Sequence, residues 1–210
     1  MKDKQKKFSQ IILSKNYIFH IHTNYTDGHS SIEEYCRYFQ NKEILIFTEH
    51  IRKKPTYDWK EFLNKARNLG CLAGFEAKIL PSGNLDIPES ALFESDLIAV
   101  AVHSFNGNVN DIVFSLRKAF DKYWKILPIV WVHPASSPAE RVHNKISYIE
   151  EVLENHKETV YIEYNLKRKN LSKHEIWYLL RNSYKLIKGY DAHSLDELLK
   201  LRRENHGVLI

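Results

Sequence analysis

Two of the eleven histidines in this 210-residue chain, His20 and His22, flank Ile21, and Asp27-Gly28 follows them. Ile18, Phe19 and Ile21 are strand formers, and side chains along a strand alternate between faces. Both imidazoles are therefore expected on one face of one strand. Thr23 to Gly28 reads as a loop, with Asp27-Gly28 a turn signal. Two imidazoles with a carboxylate on the loop beyond them begin a metal site. An isolated His-x-His pair is equally two half-exposed strand histidines, so further ligands at the same level must decide.

The elements that would position such ligands recur along the chain. Ile44 to Thr48 is a continuous apolar run ending in Glu49-His50, the pattern of a strand buried on both faces of a parallel sheet. Further strands are expected over 71–80, which contains Glu76, and over 96–103, ending at His103. Three more run over 127–132 before His133-Pro134, over 160–165 ending at Asn165, and over 185–191 ending at Asp191, with His193 just beyond. Helical patterns over about 58–69, 110–124, 144–155, 172–182 and 195–203 separate them. From His22 to Asp191 the polar residues at strand ends stand 26 to 32 residues apart, the length of a strand–helix unit. Seven such units argue for an α/β fold, either a barrel or a doubly wound sheet. An open sheet brings only the ends near its switch point into one crevice. Polar groups at every strand end favour a closed (β/α)7 TIM-like barrel with its site at the C-terminal ends of the strands.

Length and composition fit one domain, residues 17–210, preceded by a basic extension over 1–16 that forms a tail or a helix covering the barrel's bottom. A 43% hydrophobic fraction supplies a core. No run approaches the roughly 18 apolar residues of a membrane span, and Ile11-Ile-Leu13 is too short for a signal peptide's apolar region. The expected location is the cytoplasm. Cys36 and Cys71 do not make a disulfide framework and read as buried small hydrophobes. The four tryptophans, Trp59, Trp124, Trp131 and Trp177, read as helix–barrel packing. A net charge of +5 permits a phosphate-bearing or nucleic-acid partner without demanding one.

His20-x-His22-Thr-x-x-x-Asp27-Gly28, Thr48-Glu49-His50, Gly74-Phe-Glu76, Val102-His103-Ser104, His133-Pro134 and Asp191-Ala-His193-Ser194 together resemble the ordered motifs of the polymerase-and-histidinol-phosphatase (PHP) superfamily. The resemblance spans residues 20–194. It implies a distorted seven-stranded barrel holding two or three divalent ions. It further implies that His20 and His22, with Glu76 and Asp191, hold one ion. Glu76 would bridge to a second completed by His103 and His133, and Asp27, His50 and His193 would hold a third. Two positions depart from the family pattern. Glu49 stands where Asp is usual, bearing on the hydrogen bonds that orient imidazoles. Tyr190 stands where a small residue is usual and could narrow the pocket or donate to substrate.

Imidazole nitrogens mixed with carboxylates suit zinc, manganese or iron ahead of magnesium. Such ions acidify a water and clamp phosphate oxygens, so the expected chemistry is hydrolysis of a phosphate ester by a metal-bound hydroxide, with a phosphorylated small molecule as substrate. Arg52, Arg141, Lys145 and Arg168, on loops after strands, with Asn165 at a strand end, are the candidates for holding that substrate. Two alternatives are a nuclease acting on nucleic-acid ends and a scaffold without catalysis.

Overall fold

The computed structural model describes residues 2–39, 42–140 and 142–205, and in it the expected strands close on themselves. The strands are β1 (Tyr17–Ile21), β2 (Ile44–Ile51), β3 (Leu72–Lys78), β4 (Ile98–Ala101), β5 (Ile129–Trp131), β6 (Val160–Asn165) and β7 (Lys185–Ala192). They pair in sequence order, every pair parallel, and β7 pairs with β1 to complete the barrel. Between and after them run α2 (Ile32–Phe39), α3 (Trp59–Asn68), α4 (Glu89–Glu94), α5 (Val109–Tyr123), α6 (Lys145–Val152), α7 (Lys173–Arg181) and α8 (Leu195–Glu204). Local chemistry starts several of these helices where they start. Asp58 caps α3, and full capping boxes, Asn108 with Asp111 and Ser172 with Glu175, open α5 and α7 by satisfying backbone N–H groups that lack intrahelical partners.

Strand alternation sorts the core into two parts. Inward residues such as Phe19, Ile46, Leu72, Ala99, Val130, Tyr161 and Ile187 share one cluster with Phe8, Ile11 and Ile12, which lie on α1 (Lys2–Ser14). The outward set, among them Ile18, Phe47, Phe75, Val100, Trp131 and Ile162, packs under the surrounding helices. Phe8 meets Tyr161 edge to face at 5.2 Å, near the N-terminal end of β6. The basic helix α1 thus plugs the end of the barrel opposite the strand C-termini.

Regular alternation alone does not aim the first two histidines. With Phe19 inward, His20 would point outward. The register of β1 against both neighbours shifts between Phe19 and Ile21, and His20 has φ 67°. This bulge inserts one residue, so that Ile21 joins the outer cluster and both imidazoles turn to the barrel's mouth. The two histidines thus face the same way with Ile21 opposite, as expected, but through a break in the strand and not through regular alternation. His133 (φ 35°) and Asp191 (φ 53°) likewise adopt left-handed backbone. Such conformations are costly for side chains other than glycine and cluster where a site is built.

Three further expectations change. Tyr190 packs outward in the core between barrel and helices, away from the mouth, because β7 alternation puts it there. Trp177 is 55% exposed, with the Arg181 guanidinium 5.0 Å from its ring centre, whereas Trp131 is fully buried. Cys36 is only partly buried, with its sulfur 3.3 Å from that of buried Cys71.

Candidate metal centre

The barrel's mouth is organised around one carboxylate. Glu76 projects inward from β3 and is 2% exposed. Its Oε1 lies 2.9 Å from His103 Nε2 and 3.0 Å from His133 Nε2. Its Oε2 lies 3.1 Å from His20 Nε2, 3.3 Å from His22 Nε2 and 3.5 Å from His50 Nδ1. One buried carboxylate therefore faces five imidazoles, its two oxygens turned to different groups, as a bridging ligand requires.

Two acidic side chains flank this core. Asp191, at the end of β7, places Oδ1 3.6 Å from His22 Nε2 and 3.8 Å from His20 Nε2. Asp27, on the loop after β1, places Oδ2 3.3 Å from His50 Nε2 and 3.4 Å from His193 Nε2. The loop bearing Asp27 is held by Glu49, which accepts hydrogen bonds from the Thr23 backbone N–H (2.6 Å) and the Thr26 hydroxyl. His103 sits at the rim, its carbonyl accepting from Ser137 Oγ at 2.9 Å.

Four groups of side chains each bring ligand atoms within 4.8 Å of one another: His22, Asp27, His50 and His193; His20, Glu76 and His133; His20, His22 and Asp191; and His50, Glu76 and His103. Between them they contain all nine ligand candidates. The donor set fits a divalent ion that accepts mixed nitrogen and oxygen ligands. An orphaned pair of atoms supports the same fit. His22 is fully buried, yet neither of its ring nitrogens has a hydrogen-bond partner among the described residues. Leaving such groups unpaired is costly, and a metal ion is a partner that would relieve it.

Protonation follows from the same arrangement. Burial opposes the charge on Glu76, but the imidazoles of His103, His133, His20 and His22 that face it hold its carboxyl well below the usual range. Asp191 is also held low: burial opposes its charge, and the neighbouring His20 and His22 prevail. Burial pulls His20 down, yet the carboxylates of Glu163, Asp191 and Glu76 raise it well above its ordinary value. His22 is raised to about 9, because Asp191 and Glu76 outweigh burial. His50 goes the other way, to about 4, chiefly through burial.

The residues proposed to hold substrate are placed differently from one another. Arg168, after β6, reaches the ligands, with Nε 2.6 Å from Asp191 Oδ2. Its side chain stays 41% exposed, open toward the mouth. Buried Asn165 accepts from the Arg168 backbone N–H at 2.8 Å, so it shapes the loop bearing that arginine. Lys145 donates to the Asn170 carbonyl at 2.5 Å. Arg52 is exposed on the chain after His50, and Arg141 lies outside the described residues.

One basic loop residue joins the ligands, and one buried acid escaped the sequence reading. Lys167 Nζ donates to the Asp191 carbonyl (3.1 Å), lies 3.2 Å from His193 Nδ1 and pairs with Glu197 at 2.8 Å. Glu163, inward on β6, is completely buried beside His20 and His133. Its sequence signal is its position two residues before Asn165, on the same strand face.

No protein-family model matches the chain, and no curated protein matches it. Among solved structures, it matches a putative histidinol phosphatase, hisK of Listeria monocytogenes, at a TM-score of 0.57 and 10% identity, covering 90% of this chain and 99% of that one. At that identity the likeness is one of fold. Among the described residues no helix is long and apolar enough to cross a membrane.

Proposed function

We infer that the protein is a metal-dependent phosphoesterase of the PHP type, with a small phosphomonoester as substrate. The observation that carries this reading is Glu76, a single buried carboxylate within 3.5 Å of five imidazoles. The listerial structure of the same fold, a putative histidinol phosphatase, supports it. Divalent ions bound here, zinc, manganese or iron, would supply an acidified water and positive charge for phosphate oxygens.

The chain's own residues have separable parts in this scheme. His20, His22 and Asp191 would hold one ion with Glu76. His103 and His133, with Glu76, would hold a second. Asp27, His50 and His193 would hold a third nearer solvent. Arg168, anchored on Asp191 and open to the mouth, would receive a phosphate oxygen with a planar, permanently charged donor. Replacing both His20 and His22 with Ala should abolish metal-dependent hydrolysis across a panel of phosphomonoesters. Turnover unchanged in the double variant would overturn the reading.

A nuclease remains the second reading, because Arg52, Lys53, Lys54, Lys167, Arg168 and Lys169 are all exposed on loops after β2 and β6. A polyanion would engage several of them at once, and its hydrolysis would fall steeply with added salt. The short connection from β4 to β5 adds no domain to grip a long strand, which favours the small ester. Hydrolysis of single-stranded DNA or RNA, suppressed by salt and exceeding that of every monoester, would reverse the preference.

A further inference from the structure

Beneath the nine ligand candidates lies a carboxylate that faces none of the proposed ion positions. Glu163 is 0% exposed, and each of its oxygens takes one short contact. Oε1 is 2.6 Å from His20 Nδ1, and Oε2 accepts from the His133 backbone N–H at 2.6 Å. Its backbone is pinned as well, since the Asn170 amide donates to the Glu163 carbonyl at 3.0 Å. The space for it comes from β7. A Cβ on Gly189 would stand 1.7 Å from Glu163 Oε1 and 2.5 Å from its Cδ, so glycine is required there for clearance.

The two contacts are chemically unequal. A backbone N–H can only donate, whereas an imidazole nitrogen donates or accepts according to tautomer. A carboxylate can only accept, so His20 must carry its hydrogen on Nδ1. In the neutral ring, which metal binding requires, that leaves the lone pair on Nε2, the atom 3.1 Å from Glu76 Oε2 and 3.8 Å from Asp191 Oδ1. We propose that Glu163 is a positioning residue. It fixes the tautomer of His20 and ties that imidazole to the backbone of His133, so that the two histidines present Nε2 to opposite oxygens of Glu76. Carboxylates placed behind metal-bound histidines are a general means of orienting them. The proposal rests on the reading of the mouth as a metal centre; the tautomer itself does not.

The amide isostere gives a test that separates this role from simple packing. In Glu163→Gln the fixed N–H of His133 claims the amide oxygen, which turns the NH2 group toward His20 Nδ1. His20 must then accept at Nδ1 and carry its hydrogen on Nε2, where it blocks ligation. In Glu163→Ala the imidazole is free to adopt either tautomer. Zinc affinity, measured by chelator competition, should therefore fall about 10- to 100-fold in Glu163→Gln, and by less in Glu163→Ala. A structural role gives the reverse order, with Gln near wild type and the cavity-forming Ala worst, and that order would overturn the proposal.

A second measurement needs no variant. Nitrogen-15 NMR of the histidine rings in the zinc-loaded wild type should show His20 protonated at Nδ1 and metal-bound at Nε2; the opposite assignment refutes the role of Glu163. Should the wild type bind no zinc, the metal reading itself falls. The same spectrum of the metal-free protein at alkaline pH then decides the tautomer on its own.

Discussion

At the scale of residues, the mouth of the barrel is a set of bases for which protons and, on the proposed function, metal ions would compete. Without metal, His22 has its pKa raised to about 9 from an ordinary value of 6.5, and His20 is raised in the same direction. A raised folded-state pKa contributes stability that is fully present below about pH 6.5 and is lost as pH climbs through the folded value. The metal-free protein is therefore predicted to lose thermal stability between about pH 6.5 and 9. Calorimetry in chelator across that window checks it, and a melting temperature that rises over the window contradicts it. Metal loading should release protons over the same range, because ligation needs the neutral imidazoles. His50 is pushed down to about 4, so it is neutral throughout the window and does not oppose the trend.

The elements show what could be read before the structure and what could not. The ends of β1 to β7 were legible because a ligand-type side chain recurs at the interval of one strand–helix unit, from His22 through Glu76 to Asp191. Alternation failed at His20, since a bulge depends on pairing with β2 and β7 rather than on local sequence. Glu163 was hidden for a related reason. In Val-Tyr-Ile-Glu-Tyr-Asn165 it reads as one polar residue in a strand, and only the approach of Gly189 from β7 shows why it can be buried. Tyr190 was misread because its neighbour Asp191 is a candidate ligand, although β7 turns the two to different sides. Helix α1, one of the two alternatives read for the basic extension, carries a buried edge. Phe8 is 1% exposed and packs with the inward residues of the barrel. Phe8→Ala should cost about 3–5 kcal/mol of stability, measured by denaturant unfolding. A cost below about 1 kcal/mol would show that α1 is not part of the barrel's core.

On the scale of the whole molecule, the closed barrel divides the work between its two ends. Helix α1 and the inward apolar residues fill the N-terminal end. The C-terminal end gathers polar groups that a folded chain would otherwise bury at a loss, among them Glu76, His20, His22 and Asp191. Burial of this kind is tolerated where function compensates for it. The central claim is that two or three divalent ions compensate here. The direct test is the metal content of the purified wild-type protein after loading with zinc or manganese and removal of excess ion, read by elemental analysis. Two or three ions per chain are predicted; fewer than two would contradict the account.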